Sequence, residues 1–236
     1  MNYLEKIRNI LQNTINGFIL EEYASFRPAA VLIPLFYKNE ELHLLLTKRT
    51  ETVEHHKGEV SFPGGAKDQS DPDLLFTALR ETNEEINIPS DCFEILGALT
   101  PITTVTDFVV VPYVGWMKNA RCLANLKGNP LEIEKCLEVP LDHLTKPNNY
   151  IARQSFLGDE SVVIHFWEFE EDIIWGATGR IIFNFLTLLK LEKSLLPKYK
   201  NPVKISVEDI PKIIQDRYAK NLNKRIQLYR EKKGEK

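Results

Sequence analysis

The sequence is short of several things, and each absence excludes something. No apolar run approaches the roughly 20 residues that span a bilayer, so a membrane partner is not expected. The opening MNYLEKIRNILQNTI is amphipathic and lacks the apolar centre of a signal peptide. Cysteine is scarce: Cys92, Cys122 and Cys136 are widely spaced and form no CxxC pair. That argues against a disulfide framework and against a zinc site, and points to a reducing, cytoplasmic setting. Internal repeats and low-complexity tracts are absent, and the final Gly-Glu-Lys is not a peroxisomal address of the SKL type.

What is present suits a packed domain. The chain has 236 residues, 43% hydrophobic and 27% charged, enough for one good-sized domain or a domain plus an extension. The net charge of −3 is unevenly spread: from Lys190 to Lys236, 14 Lys/Arg face 6 Asp/Glu, a local +8 that leaves −11 on the rest. An acidic body with a basic tail fits a metal-binding catalytic domain with a cationic extension. The plainer account of the tail, a solvated helix surface, is preferred, and a nucleic-acid partner is not expected from charge alone.

Periodicity supplies the elements. Leu4, Ile7, Ile10, Leu11 and Ile15 recur at helical spacing over 3–15. AAVLIPLFY (29–37) reads as a buried strand that Pro34 makes irregular or places at an edge, and LHLLLT (42–47) reads as its hairpin partner. Strands are expected over 93–99 and 108–116, with a loop at 100–104 and another over 118–130. Glu132, Glu134 and Glu138 suggest a short helix. Residues 151–156 and 162–169 suggest a hairpin around Gly158-Asp159, and an apolar helix runs from about 174 to 191. A boundary falls near 195, among Pro197, Pro202 and Pro211, with one more basic helix over 207–232.

The informative stretch is GEVSFPGGAKDQSDPDLLFTALRETNEEINI, 58–88. It reads as a short strand, a Pro63-Gly64-Gly65 turn, a polar loop and a helix. At about 100° per residue, Arg80, Glu81, Glu84 and Glu85 share one face, while Leu75, Leu79, Thr82 and Ile86 lie nearly opposite as the buried stripe. Three carboxylates crowded beside one arginine repel one another unless a divalent cation with oxygen ligands joins them. Glu81 and Glu85, one turn apart, are the best pair of ligands, with Glu84 adjacent. Arg80 can hold the acidic face in register through bidentate pairing to Glu84 or Asp71. Asp71 reads equally as a helix N-cap, since Pro72 suits the first helical position. Gly64 and Gly65 allow close backbone approach to metal or phosphate. Arg49 and Lys57 are candidate phosphate contacts. His55 and His56 read as solvent-facing, and Trp116, Trp167 and Trp175 as core. The general base is Glu85 or Glu81, with Glu132 and Glu134 as distant candidates.

Gly65, Asp71, Arg80-Glu81 and Glu84-Glu85 resemble the Nudix box, G-x5-E-x7-R-E-U-x-E-E-x-G-U with U aliphatic. Asp71 stands where the box has Glu, with one extra residue before Arg80. Thr82 replaces an aliphatic residue, and Asn87 the late glycine. Asn tolerates left-handed backbone better than most residues. Upstream, LLTKRTETVEHHKGEVSFPGG resembles LLTxRSxxLRxHxGQVxFPGG of a Nudix subgroup acting on coenzyme A. Arg49, His56, Gly58, Val60 and Phe62 to Gly65 match; Glu54 replaces an arginine and Glu59 a glutamine.

The resemblance covers about residues 28–190. It implies an α/β fold, a Nudix-like α/β/α sandwich with a mixed sheet. The expected layout is an N-terminal helix and lead-in (1–27), the hydrolase domain (28–195) and a basic helical C-terminal extension (196–236). It implies Mg²⁺- or Mn²⁺-dependent hydrolysis of a pyrophosphate bond, with Glu85, Glu81 and Arg80 catalytic and Glu81, Glu84 and Glu85 on the metal. Gly64, Gly65, Arg49 and Lys57 would meet the substrate. Coenzyme A or an acyl derivative is the first substrate. The alternatives are ADP-ribose, NADH or a dinucleoside polyphosphate, or a Nudix-like module that binds a nucleotide without cleaving it. The partner is then a nucleotide-derived small molecule, and a homodimer is compatible with the reading.

Overall fold

A computed structural model describes residues 3–12, 14, 20–51, 57–119, 121–124, 126–157, 160–200, 202–204, 210 and 212. Glu54, His55 and His56, and the expected helix over 207–232 apart from Ile210 and Lys212, lie outside these residues.

The elements run α1 (Tyr3–Leu11), β1 (Arg27–Lys38), β2 (Glu41–Arg49), β3 (Val60–Ser61), β4 (Gly64–Ala66) and α2 (Leu74–Ile86). Then come β5 (Phe93–Ala98), β6 (Ile102–Thr103), β7 (Phe108–Met117), α3 (Arg121–Ala124), β8 (Ile133–Pro140) and α4 (Leu141–Thr145). The rest are β9 (Tyr150–Leu157), β10 (Glu160–Phe169), β11 (Asp172–Ile174), α5 (Gly176–Leu188), α6 (Leu196–Lys200) and β12 (Val203–Lys204).

The principal sheet is mixed. Its path is β3-β2-β1-β7-β5, with β4 added to β1, β6 to β7 and β8 to β2. Among the described residues of this sheet, β1 and β7 pair in parallel, over Arg27–Leu35 and Phe108–Trp116, and the other pairs are antiparallel. Pro34 sits inside this central pair rather than at an edge. On its other side β1 changes partner: 29–31 pair with β4, and pairing with β2 begins at Leu35. Leu32 still donates to the Pro63 carbonyl at 2.9 Å. Two residues on, where the next donor would point the same way, Pro34 offers none and falls in the gap. Pro112 does the same on β7, between the stretches paired with β6 and β5.

The sheet is covered on both sides. Ala30, Leu32, Phe36 and Leu45 pack under α2, with Leu74, Ala78 and Ile86. Ile33, Leu35, Leu44 and Leu46 face the other way, onto α1, α5 and the β9–β10 hairpin. Ile7 and Leu11 of α1 are 0% and 1% exposed, so the N-terminal helix is part of the core. A second sheet, β11-β10-β9-β12, was not anticipated as a separate layer. Within it β12 runs parallel to β9, and Ile210 packs with Phe166 and Ile173.

Two expectations fail. Residues 133–140 form a strand, not a helix. The glutamates sit near helical spacing, but Ile133, Leu137 and Val139 are the buried residues and fall on odd positions, as a half-buried strand requires. Cys92 and Cys122 are bridged by a disulfide, with Cα atoms 5.8 Å apart, although their spacing argued against a disulfide framework. The turn after α2 and the single turn of α3 bring together residues 30 apart, which no local motif reveals.

Candidate active site

Helix α2 is fixed at both ends by its own polar residues. Asp73 is the N-cap and accepts from the Phe76 N–H at 2.7 Å. Asn87 ends the helix with φ 58°, and its N–H donates to the Asn83 carbonyl. Between them Thr82, fully buried, donates its hydroxyl to the Ala78 carbonyl at 2.6 Å, so a polar side chain packs as an apolar one. The buried stripe is rotated from the one expected. Leu74, Thr77, Ala78, Thr82, Glu85 and Ile86 are buried, whereas Leu75 and Leu79 are only half-buried. Glu85, a carboxylate, belongs to the inward face.

Asp71 is not the N-cap. Its fully buried side chain accepts from Arg80 Nε at 2.9 Å and Nη2 at 3.0 Å, from Thr77 Oγ1 at 2.9 Å and from the Asp68 N–H at 3.0 Å. These bonds, Arg80 first, hold its pKa well below the usual carboxylate range despite burial. Asp71 in turn holds Arg80 above its ordinary value. The remaining Arg80 nitrogen, Nη1, lies 2.9 Å from Glu81 Oε1 and 2.9 Å from Glu84 Oε2. One guanidinium, anchored bidentately from below, thus fixes two carboxylates of the acidic face.

Glu81 and Glu85 lie against the Gly64-Gly65 strand, which pairs with Ala30 and Val31 of β1. A Cβ at Gly65 would stand 2.5 Å from the Glu81 carboxyl carbon, so glycine is required for the carboxylate to reach this place. Gly64 has φ +152°, and a side chain there would strike the Ala30 carbonyl at 2.3 Å. Glu85 is 3% exposed. Burial pushes its pKa up to about 8, against the opposing pull of Arg49 and with the help of Glu81 and Glu132; the Gly64 N–H donates to it. Burial likewise raises Glu81, with Glu84 and Glu132 adding repulsion that Arg80 offsets. Arg49 Nη1 approaches Glu85 Oε1 at 3.5 Å. At this site Glu85 Oε2 and Arg49 Nε are buried without a hydrogen-bond partner among the described residues.

The structure therefore brings together Glu81, Glu85, Gly64, Gly65 and Arg49, with Glu132 close enough for its charge to be felt by both glutamates. Glu84 is largely exposed and turned onto Arg80. Lys57 is exposed at the start of the segment that leads to β3. Glu134 pairs with Lys48 at 3.2 Å instead. Cys136, which the sequence did not single out, lies near enough to Glu85 for that charge to add to burial in raising its thiol to about 11.

Among the described residues no three His, Cys, Asp or Glu side chains are grouped to hold a metal alone. The donors nevertheless fit Mg²⁺ or Mn²⁺. These ions take one or two carboxylates and complete their shell with substrate oxygens and water. A buried carboxylate oxygen without a partner, on a glutamate raised first by burial and further by the charge of Glu81, is what a cation would satisfy.

No helix among the described residues is long and apolar enough to cross a membrane. A family model described as NUDIX domain matches residues 26–157. A protein named "Uncharacterized Nudix hydrolase NudL" from Photorhabdus laumondii is 36% identical over 156 residues, covering 66% of this chain and 81% of its own. "Nudix hydrolase 22, chloroplastic" of Arabidopsis thaliana is 34% identical over 171 residues, covering 70% of this chain and 56% of its own. Among solved structures, a C. elegans Ap4A hydrolase binary complex aligns at TM-score 0.42 and 20% identity, over 48% of this chain and 80% of that one. The NUDIX domain of Shewanella oneidensis NrtR complexed with ADP ribose aligns at TM-score 0.41 and 19% identity, over 54% of this chain and 81% of that one. With the family model spanning most of the principal sheet and α2, the chain belongs to the Nudix family and is a hydrolase acting on the pyrophosphate bond of nucleoside diphosphate derivatives.

Proposed function

We propose that the substrate is coenzyme A or an acyl-CoA, cut at its pyrophosphate to a phosphopantetheine product and an adenosine bisphosphate. The observation that carries the hydrolytic reading is the half-buried Glu81 and buried Glu85 on Gly64-Gly65, with Glu85 raised to about 8 and one oxygen unpartnered among the described residues. The substrate class rests on the upstream segment. Its matching residues lie on β2, β3, β4 and the link between them; Arg49, Gly64 and Gly65 meet Glu81 and Glu85, while Val60 and Phe62 are buried in the core beneath.

Pyrophosphates resist water because their own charge repels it. A divalent cation, when bound, supplies neutralisation and Lewis-acid polarisation. Glu81 and Glu85 would hold it, and a carboxylate oxygen of this pair left off the cation would take the proton of the attacking water. Arg80 positions Glu81 and touches no substrate, because Asp71, Glu81 and Glu84 occupy its donors. Arg49, with Nε–H unpartnered, donates to a substrate phosphate. Gly64 and Gly65 let the phosphate approach the backbone.

The test is a product-identified screen of coenzyme A, ADP-ribose, NADH and dinucleoside polyphosphates with Mg²⁺ and Mn²⁺. Coenzyme A turnover to the two named products is expected. Cleavage of another substrate with coenzyme A untouched would mean that Glu54 and Glu59 mark a different specificity.

A further inference from the structure

Strands β2 and β8 slip by one residue beside the acidic pocket. Lys48 stands opposite Lys135, but Arg49 stands opposite Ile133, so Glu134 is left over as a bulge. In an unbulged ladder Arg49 would face Glu134. Directly opposed side chains lie within pairing reach, and that carboxylate would compete with Glu85 for the guanidinium.

The bulge is held by charge. Lys48 Nζ lies 3.2 Å from Glu134 Oε1 and 3.2 Å from Asp172 Oδ1. Lys135 Nζ lies 2.7 Å from Asp172 Oδ2 and also pairs with Glu171. Asp172 comes from β11 in the second sheet, and its side chain is fully buried. A buried carboxylate is costly unless well paired; here the two ammonium groups are its counter-charges, so the pairing is not easily given up. Beyond the bulge the strands rejoin, with the Thr50 N–H donating to the Glu132 carbonyl at 2.8 Å. The bulged stretch is therefore bounded by Asp172 on one side and by the Arg49–Glu132 level of the pocket on the other.

We propose that Asp172, Lys48 and Lys135 form a positioning device: they lock the bulge with Glu134 turned onto Lys48, so that Arg49 is committed to Glu85. The inference rests on the catalytic reading of Glu85 and Arg49 above. Its test is Lys48→Met, alone and combined with Glu134→Gln, with Glu85→Gln measured in parallel. Lys48→Met removes the counter-charge that holds the bulge, and closing the ladder into register then brings Glu134 opposite Arg49. Its kcat is expected to fall about tenfold or more, with KM changed less than about threefold. Glu134→Gln in the same chain removes the competitor and recovers most of the lost kcat. A merely structural role gives no such recovery, because Glu134→Gln restores none of the Asp172 pairing lost with Lys48. Wild-type kcat in folded Lys48→Met, or no recovery in the double variant, overturns the proposal. If Lys48→Met does not fold, Lys135→Met with and without Glu134→Gln gives the same two outcomes. If Glu85→Gln keeps full activity, the catalytic reading itself is wrong; if it is inactive while Lys48→Met is fully active, only the positioning claim fails.

Discussion

Replacing Glu85 by glutamine is expected to stabilise the metal-free protein at alkaline pH. The reason is the raised carboxyl. Its folded pKa of about 8 stands above the ordinary 4.5. A group raised in this way contributes stability that is fully present below about 4.5 and lost as pH rises through about 8. At about 1.4 kcal/mol per pKa unit, the loss is roughly 5 kcal/mol by pH 9, carried by one residue. Glutamine has the same shape and no charge, so it does not incur that loss. For a chain of this size 1 kcal/mol shifts Tm by about 2–4 °C, so the variant should melt roughly 10 °C above wild type at pH 9 and close to it at pH 5. Melting EDTA-treated wild type and variant at pH 5, 7 and 9 isolates Glu85, because every other group is common to both. Mg²⁺ should close the gap at pH 9 by raising wild type more than the variant. A Tm difference that stays flat from pH 5 to 9 would show that Glu85 is not desolvated, and the argument for its role would fall with it.

Three other outcomes follow from single contacts. Asp71→Asn removes the buried carboxylate that anchors Arg80 bidentately and should cost about 3 kcal/mol in urea unfolding; a change under about 0.5 kcal/mol would show that the pair is solvent-screened. Gly65→Ala places a methyl group on the Glu81 carboxyl and should lower kcat by about tenfold or more, with chemical unfolding little changed; unaltered kcat would show that Glu81 tolerates displacement. Alkylation of the unreduced, denatured protein should label Cys136 alone, and all three cysteines after reduction; three labelled thiols without reductant would refute the Cys92–Cys122 bridge.

How much of this was legible in the sequence depends on distance along the chain. The Arg80-Glu81…Glu84-Glu85 spacing and the β1–β2 hairpin are local patterns, and local patterns report backbone period directly. The left-handed Asn87 was legible for the same reason. The Pro63-Gly64-Gly65 turn was a misreading, since Gly64 and Gly65 lie in strand β4. Other misreadings came where two periods competed. In 132–138 the glutamates suggested a helix while Ile133, Leu137 and Val139 marked a strand, and the buried residues decided. On α2 the leucines at 75 and 79 outbid Leu74 and Ala78, because a buried Glu85 is not what an apolar stripe predicts. Asp71 looked like a cap since Pro72 follows it; its true partner, Arg80, lies nine residues away across a loop. The Cys92–Cys122 bridge and the Lys48–Asp172–Lys135 cluster join elements far apart in sequence, and no single-chain pattern announces them.

The central claim is that Glu85 lies at the heart of a cation-dependent pyrophosphatase. Its most direct test is coenzyme A turnover by wild type and Glu85→Gln at equal folded concentration, with Mg²⁺ or Mn²⁺ present and with EDTA. The account predicts phosphopantetheine and adenosine bisphosphate from wild type with either ion, none with EDTA, and at least about a hundredfold loss in the variant. Unchanged turnover in Glu85→Gln, or wild-type turnover that persists in EDTA, would contradict it.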